Sequence, residues 1–178
     1  MIMRESMLFI CLLFALPALA SGGDEYAVTN IPAALMKNAH VIKRKDEIRF
    51  EIMESNRAVM KRRIAYTILD EQGERWAYFS EGYDKLRSIE SFEGSLYDAA
   101  GKKIKSLKKG DIRDISGTDD ISLADDTRIK VHSFFYKVYP FTVEYEIEIR
   151  YKGTMFLPDW IPQEKEIMSV ESSKLTII

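Results

Sequence analysis

The chain has 178 residues, 30% of them charged, and its 26 Lys and Arg nearly balance its 28 Asp and Glu, for a formal net charge of −2. That balance argues against nucleic acid or an anionic membrane surface as the main partner, since either needs a large positive excess. The one cysteine, Cys11, falls within the first twenty residues, so no thiol nucleophile or thiol metal ligand stands anywhere after them.

Residues 1–20 read as a secretory signal. Arg4 gives a basic start, Met7 to Leu16 carry no polar side chain, and Pro17 breaks the run. Ala18-Leu19-Ala20 then supplies the small-x-small pattern that a signal peptidase accepts. The apolar run is well short of the ~20 residues a spanning helix needs, so cleavage after Ala20 is expected, with no stable membrane anchor left behind. Cys11 lies inside the run behind bulky Phe9 and Ile10, unlike a lipidated cysteine, which follows small residues. The expected location is periplasmic or at the cell surface. What remains is the size of one domain and has no disulfide, so its core must hold the fold unaided.

Residues 21–29 read as a flexible lead-in. Ile31 to Ala39 has the composition of a short helix, with Asn30 able to cap it and Pro32 tolerated in its first turn. The period then changes to two. Ile48, Phe50 and Ile52 alternate with charged residues, and Ala58, Met60, Ile64, Tyr66 and Ile68 share one parity, interrupted by Arg62. Asp70-Glu71-Gln72-Gly73 forms a turn. Trp76 and Tyr78, with Ala77 and Phe79 opposite, make a further apolar stretch, and Trp76 and Tyr78 are expected in the core. Leu86 to Tyr97 reads as a strand closed by a turn at Asp98–Lys102, and Ile104 to Leu107 as a short strand amid an exposed lysine-rich edge. Asp111 to Asp126 reads as a loop with a short piece of structure at most. A strand runs from Ile129 through Phe134 and Phe135. The clearest segment is Phe141 to Tyr151, where six apolar residues alternate with Thr142, Glu144, Glu146, Glu148 and Arg150, as an antiparallel strand with one wet face requires. Ile167 to Ile178 reads as a last strand, and ending within it would leave an unpaired apolar edge and an incomplete domain. Together these elements predict a mainly β, two-sheet antiparallel β-sandwich over 30–178 with one short N-terminal helix, truncated at its C-terminal end.

The chemistry these residues could support is narrow. His40 and His132 have no partner at metal-ligand spacing, no serine stands in a Gly-x-Ser-x-Gly context, and no glycine-rich phosphate loop occurs, so no cofactor or metal is expected. Asp119, Asp120, Asp125 and Asp126 do not follow the twelve-residue calcium pattern and read as a solvated loop. Glu144, Glu146 and Glu148 repeat at about 7 Å along one strand face, within the range of paired glycosidase carboxylates, although an amphipathic strand's solvent face explains them more simply. Of the aromatics Trp76, Tyr78, Tyr83, Tyr139 and Trp160, only Trp160, between Pro158 and Pro162, is singled out to test as a ligand or partner contact, with core packing as the favoured reading.

Several segments, taken in order, resemble a known family. Leu35 to Ile42 looks like its opening helix-to-strand passage, Arg63 to Gly73 like its strand and turn, and Gly94 to Lys105 like its hairpin. Tyr139 to Glu146 and Asp159 to Gln163 complete the series, although Tyr139-Pro140 stands where the family often has a glycine turn. This is the DUF3857 family, a β-sandwich domain found before transglutaminase-like domains in exported bacterial proteins, many from Bacteroidetes. The resemblance implies a non-catalytic accessory or binding domain that works with a downstream or separate transglutaminase-like domain and positions a peptide or cell-wall polymer. The family's catalytic Cys-His-Asp residues have no counterparts here. The alternative is a stand-alone carboxylate hydrolase of glycans built on Glu144, Glu146 and Glu148.

Overall fold

The computed structural model describes residues 24–117 and 126–178. The segment expected to be an export signal and the aspartates at 119, 120 and 125 lie outside them. Among the described residues, no helix is long and apolar enough to cross a membrane.

One four-residue helix, α1 (Ala33–Met36), precedes the strands. It is shorter than expected, because Pro32 sits at its N-cap and Asn38 turns the chain with a positive φ of 61°. The strands are β1 (Val41–Glu54), β2 (Arg57–Ile68), β3 (Tyr78–Tyr83), β4 (Arg87–Tyr97), β5 (Lys103–Ser106), β6 (Arg113–Ser116), β7 (Arg128–Ser133), β8 (Phe141–Tyr151), β9 (Met168–Val170) and β10 (Lys174–Ile177). They form two sheets. The larger runs β10-β1-β2-β8-β4-β5, with β9 also paired to β1, and the smaller runs β3-β7-β6. The mainly β, two-sheet arrangement expected from the alternation is therefore present. Pairing is antiparallel throughout except at one margin, where β9 and β10 run parallel to β1.

The alternating residues of β8 supply the middle of the core. Tyr145 stacks on Phe79 of the small sheet at 4.8 Å and packs against Phe92 and Phe134. Each such aromatic pair contributes about 0.5–1.5 kcal/mol beyond its buried area. Gly94 lies opposite Tyr145, and a Cβ there would come within 2.9 Å of that ring, so the bare backbone makes room for it. Gly73 closes the turn after β2 for a similar reason, since a Cβ would meet the His40 carbonyl oxygen at 2.2 Å.

Several local expectations change. The first long strand begins at Val41, earlier than its alternation shows, because a bulge between Lys43 and Lys45 resets the parity. Tyr78 is exposed and Phe79 buried, the reverse of the expected facing for that pair, while Trp76 is buried as expected. The strand from Ile129 stops at Ser133, since Phe135 adopts a positive φ of 50° and points to solvent. The last strand is two, broken at Glu171–Ser173. The lead-in is not loose from Asp24 onward, because Tyr26 is only 1% exposed.

Candidate functional site

The carboxylate row of β8 does not form one solvated face. Glu146 and Glu148 are accessible and ion-paired across the sheet, to Arg63 at 3.5 Å and Lys61 at 3.1 Å. Glu144 is 5% exposed, because Tyr26 from the N-terminal segment lies over it. Tyr26 and Tyr97 each donate a hydroxyl hydrogen bond to Glu144, both at 2.6 Å, and Arg63 Nε donates at 2.5 Å. Burial, reinforced by the bond to Glu144, pushes both tyrosine hydroxyls far above their usual range. The wet-face expectation thus holds for Glu146 and Glu148 and fails for Glu144. A glycosidase needs one carboxyl kept protonated by its surroundings and a second free to act as base or nucleophile. Here the first glutamate is locked in an ion pair between two tyrosines and the other two each face a cation. Beside them, Glu47, Arg49, Glu93 and Lys174 help line a shallow groove of about 500 Å³ whose walls alternate in charge.

A second polar cluster lies on the opposite face of the large sheet, and the sequence only hinted at it. The Arg62 that interrupts the apolar parity of β2 grips Asp46 through Nε at 2.9 Å and Nη2 at 3.1 Å. Lys43, fully buried, donates to Asp46 at 3.4 Å, to the Ile161 carbonyl at 3.1 Å and to Glu164 at 3.3 Å. Burial pushes the nearby Glu81 carboxyl up, with Arg62 and Arg87 opposing that rise.

These bonds anchor the segment between β8 and β9. Thr154 at its start donates to the Ser55 carbonyl at the β1–β2 turn, and its end pairs Met168 with Val41. The segment therefore travels back along β1 and seals the side that carries Lys43. Ile167 at its end packs on the core, but its other apolar residues are exposed. Met155 is 85% exposed, Phe156 69% and Leu157 55%, with Ile161 also exposed. Trp160, the residue singled out as a contact, is 43% exposed and is held by an Nε1 hydrogen bond to Ser173 at 2.9 Å. It is neither a core residue nor free to swing.

The remaining candidates are structural. His40 Nδ1 lies 2.7 Å from Asp70, whose carboxyl this bond holds below its usual range, and the pair ties the strand start to the turn after β2. His132 is buried against Phe134 and Tyr145. Tyr83 bonds Asp114, and Tyr139 bonds Glu74. Among the described residues, no group of three or more His, Cys, Asp or Glu is placed to hold a metal ion.

Residues 54–178 match the model of a family described as "Domain of Unknown Function with solved-structure structure (DUF3857)". The match leaves the helix-to-strand passage at Leu35–Ile42 upstream of it. No curated protein matches the chain. Among solved structures, the chain is similar to a crystal structure of a candidate protease from Parabacteroides distasonis, with a TM-score of 0.62 and 12% identity. That likeness covers 78% of this chain and 28% of the other, so the chain spans little more than a quarter of that protein, and at this identity the likeness is one of fold.

Proposed function

The chain belongs to the DUF3857 family, and from that premise we propose that it is a non-catalytic accessory domain, exported to the periplasm or cell surface. It serves a transglutaminase-like catalytic domain, carried downstream or on a separate chain, and helps present a peptide or cell-wall polymer to it. One observation carries this reading. The β8–β9 segment displays Met155, Phe156, Leu157, Trp160 and Ile161 to solvent, while buried Lys43 pins its backbone through the Ile161 carbonyl. A contiguous exposed apolar patch on a preorganised backbone is what protein docking favours, since little entropy is lost on binding. The ion-paired state of Glu144, Glu146 and Glu148 weighs against a carboxylate hydrolase.

The test is a calorimetric titration of the chain with the transglutaminase-like domain encoded alongside it. Phe156→Ser and Trp160→Ala are each expected to weaken binding by about tenfold or more, or ~1.4 kcal/mol, with the melting temperature little changed. A catalytic domain that ignores the wild-type chain would reject the docking role. Export is read separately, from the N-terminal residue of protein recovered from the periplasm. Ser21 is expected there, and an intact Met1 would rule out cleavage.

A further inference from the structure

The outer face of the large sheet carries a charge arrangement that solvation alone does not require. Two rows of side chains cross it. One runs Arg49, Lys61, Glu148 and Ser91 over β1, β2, β8 and β4, and the next runs Glu47, Arg63, Glu146 and Glu93. Opposite charges meet where β2 faces β8, at Lys61–Glu148 and Arg63–Glu146. On either side of that seam the register sets like charges directly opposite one another, Arg49 against Lys61 and Glu93 against Glu146. Like charges so placed destabilise a sheet.

The acidic pair is the less compensated of the two. Exposed Glu93 enters no ion pair among the described residues. Glu146 has only Arg63 at 3.5 Å, and that guanidinium also serves Glu144 at 2.5 Å and Glu25 at 3.1 Å. The cationic pair keeps one carboxylate each, with Glu51 3.8 Å from Arg49 and Glu148 3.1 Å from Lys61. All four residues of the like-charged pairs line the groove of about 500 Å³ on this face. The N-terminal segment bounds it on one side, where Glu25 and the Tyr26 hydroxyl accept from Arg63 Nη2 at 3.1 and 3.0 Å.

We propose that this groove binds a short zwitterionic peptide, its free ammonium between Glu93 and Glu146 and its terminal carboxylate at Arg49 and Lys61. The assignment rests on the peptide-presenting role above and says where that peptide lies. Each end of the ligand relieves a repulsion that the free sheet bears, and does so through charge-assisted hydrogen bonds. The poles also set a length. The midpoints of the two pairs lie two strand spacings and two residues apart, about 12 Å. An extended peptide covers at most ~3.3–3.6 Å per residue, so three or four residues bridge the poles and two do not.

The probe is tetra-alanine with free termini, titrated into the isotope-labelled chain at low salt and followed by amide chemical shifts. Saturable shifts around Arg49, Lys61, Glu93 and Glu146 are expected, with a Kd of about 1 mM or below. Dialanine should bind about fivefold more weakly or worse, because it reaches one pole at a time. Acetylating the amine of tetra-alanine should weaken binding to the wild type by about fivefold or more, and should make little difference to Glu93→Gln, which leaves every ion pair of Arg63 in place. Amidating the carboxylate should weaken binding to the wild type and to Glu93→Gln alike, but far less to Arg49→Gln. No saturable shift by ~10 mM, equal affinity for the two peptide lengths, or an acetylation loss as large in Glu93→Gln as in the wild type would overturn the assignment. Docking of a catalytic domain through Phe156 and Trp160 is a separate reading. Peptide binding without docking would leave the groove assignment intact and reject the docking role, and docking without peptide binding would do the reverse.

Discussion

Tyr26 offers the sharpest check on how the sheet is covered. Its ring packs 4.8 Å from that of Tyr97, and its hydroxyl donates to buried Glu144 at 2.6 Å while accepting from Arg63 Nη2 at 3.0 Å. Tyr26→Phe keeps the ring and removes only the hydrogen bonds of the hydroxyl, leaving Glu144 with Tyr97 and Arg63. Loss of a hydrogen bond to a charged group costs about 1.5–3 kcal/mol. Tyr26→Ala removes the ring as well, and a large-to-small change at an aromatic core site costs about 3–5 kcal/mol. Urea unfolding followed by circular dichroism would measure both. Amide exchange gives a local reading, because Val28 N donates to the Ala99 carbonyl at 2.9 Å and should exchange faster once its neighbour no longer anchors the segment. If both variants unfold within ~0.5 kcal/mol of the wild type, as surface substitutions do, the segment is a dispensable lead-in and the reasoning fails.

Two further predictions concern buried charge. Asp46→Asn should destabilise the fold by about 3–5 kcal/mol in chemical denaturation, because it strips Arg62 and Lys43 of their shared anion, whereas Asp46→Leu combined with Arg62→Leu should cost less than the single change. Equal losses for the single and double variants would show that the cluster contributes only through packing. His132 supplies a pH dependence. Tyr145 donates to the Ala77 carbonyl at 3.2 Å, so His132 donates to Tyr145 from Nδ1. Burial holds its pKa below the ordinary 6.5, Lys105 adds to that depression, and Asp111 opposes it. The unfolded chain therefore binds this proton first, and stability should fall as pH drops below about 6.5 toward the folded-state value. The fall should be absent in His132→Gln, and an unchanged slope in that variant would place its origin elsewhere.

The framework was legible where burial follows period two. Phe141 to Tyr151 shows it best, since every apolar residue of that run faces the core. Parity assigns a side but not a depth, and that is why Glu144 was misplaced; Tyr78 was put on the wrong side because a 3-10 helical stretch over Glu71–Ala77 breaks the period between Trp76 and Tyr78. Nothing local to β8 reveals that Tyr26, 118 positions earlier, covers Glu144. The Arg62 interruption was visible, yet its partners were not: Asp46 shares the parity of Ile48 and Phe50 but reads as one more charge before the strand, and the bulge after Lys43 is what brings Lys43 onto the same inward face. The parallel course of β9 and β10 left no trace either, since pairing direction depends on the path of the β8–β9 segment and not on the side chains of the strands. Trp160 was singled out from its prolines alone. Those prolines favour an extended backbone there, but its hydrogen bond to Ser173 depends on where β10 begins.

The unequal size of the sheets explains why the polar cluster and the exposed apolar segment occur together. The contacts of the small sheet fall on β4 and β8, through Phe79 and Phe134 on Phe92 and Tyr145. The inward face of β1 and β2 needs another cover, and the β8–β9 segment provides it. An irregular segment brings carbonyl groups that must find donors when buried, and inward-facing Lys43 answers the one from Ile161. A cation placed there requires anions, which Asp46 and Glu164 supply, and Arg62 then balances Asp46. With its inner side committed to this polar seal, the segment leaves Met155, Phe156, Leu157, Trp160 and Ile161 exposed. The patch that a partner could grip is thus a geometric consequence of closing a seven-stranded sheet with a three-stranded one.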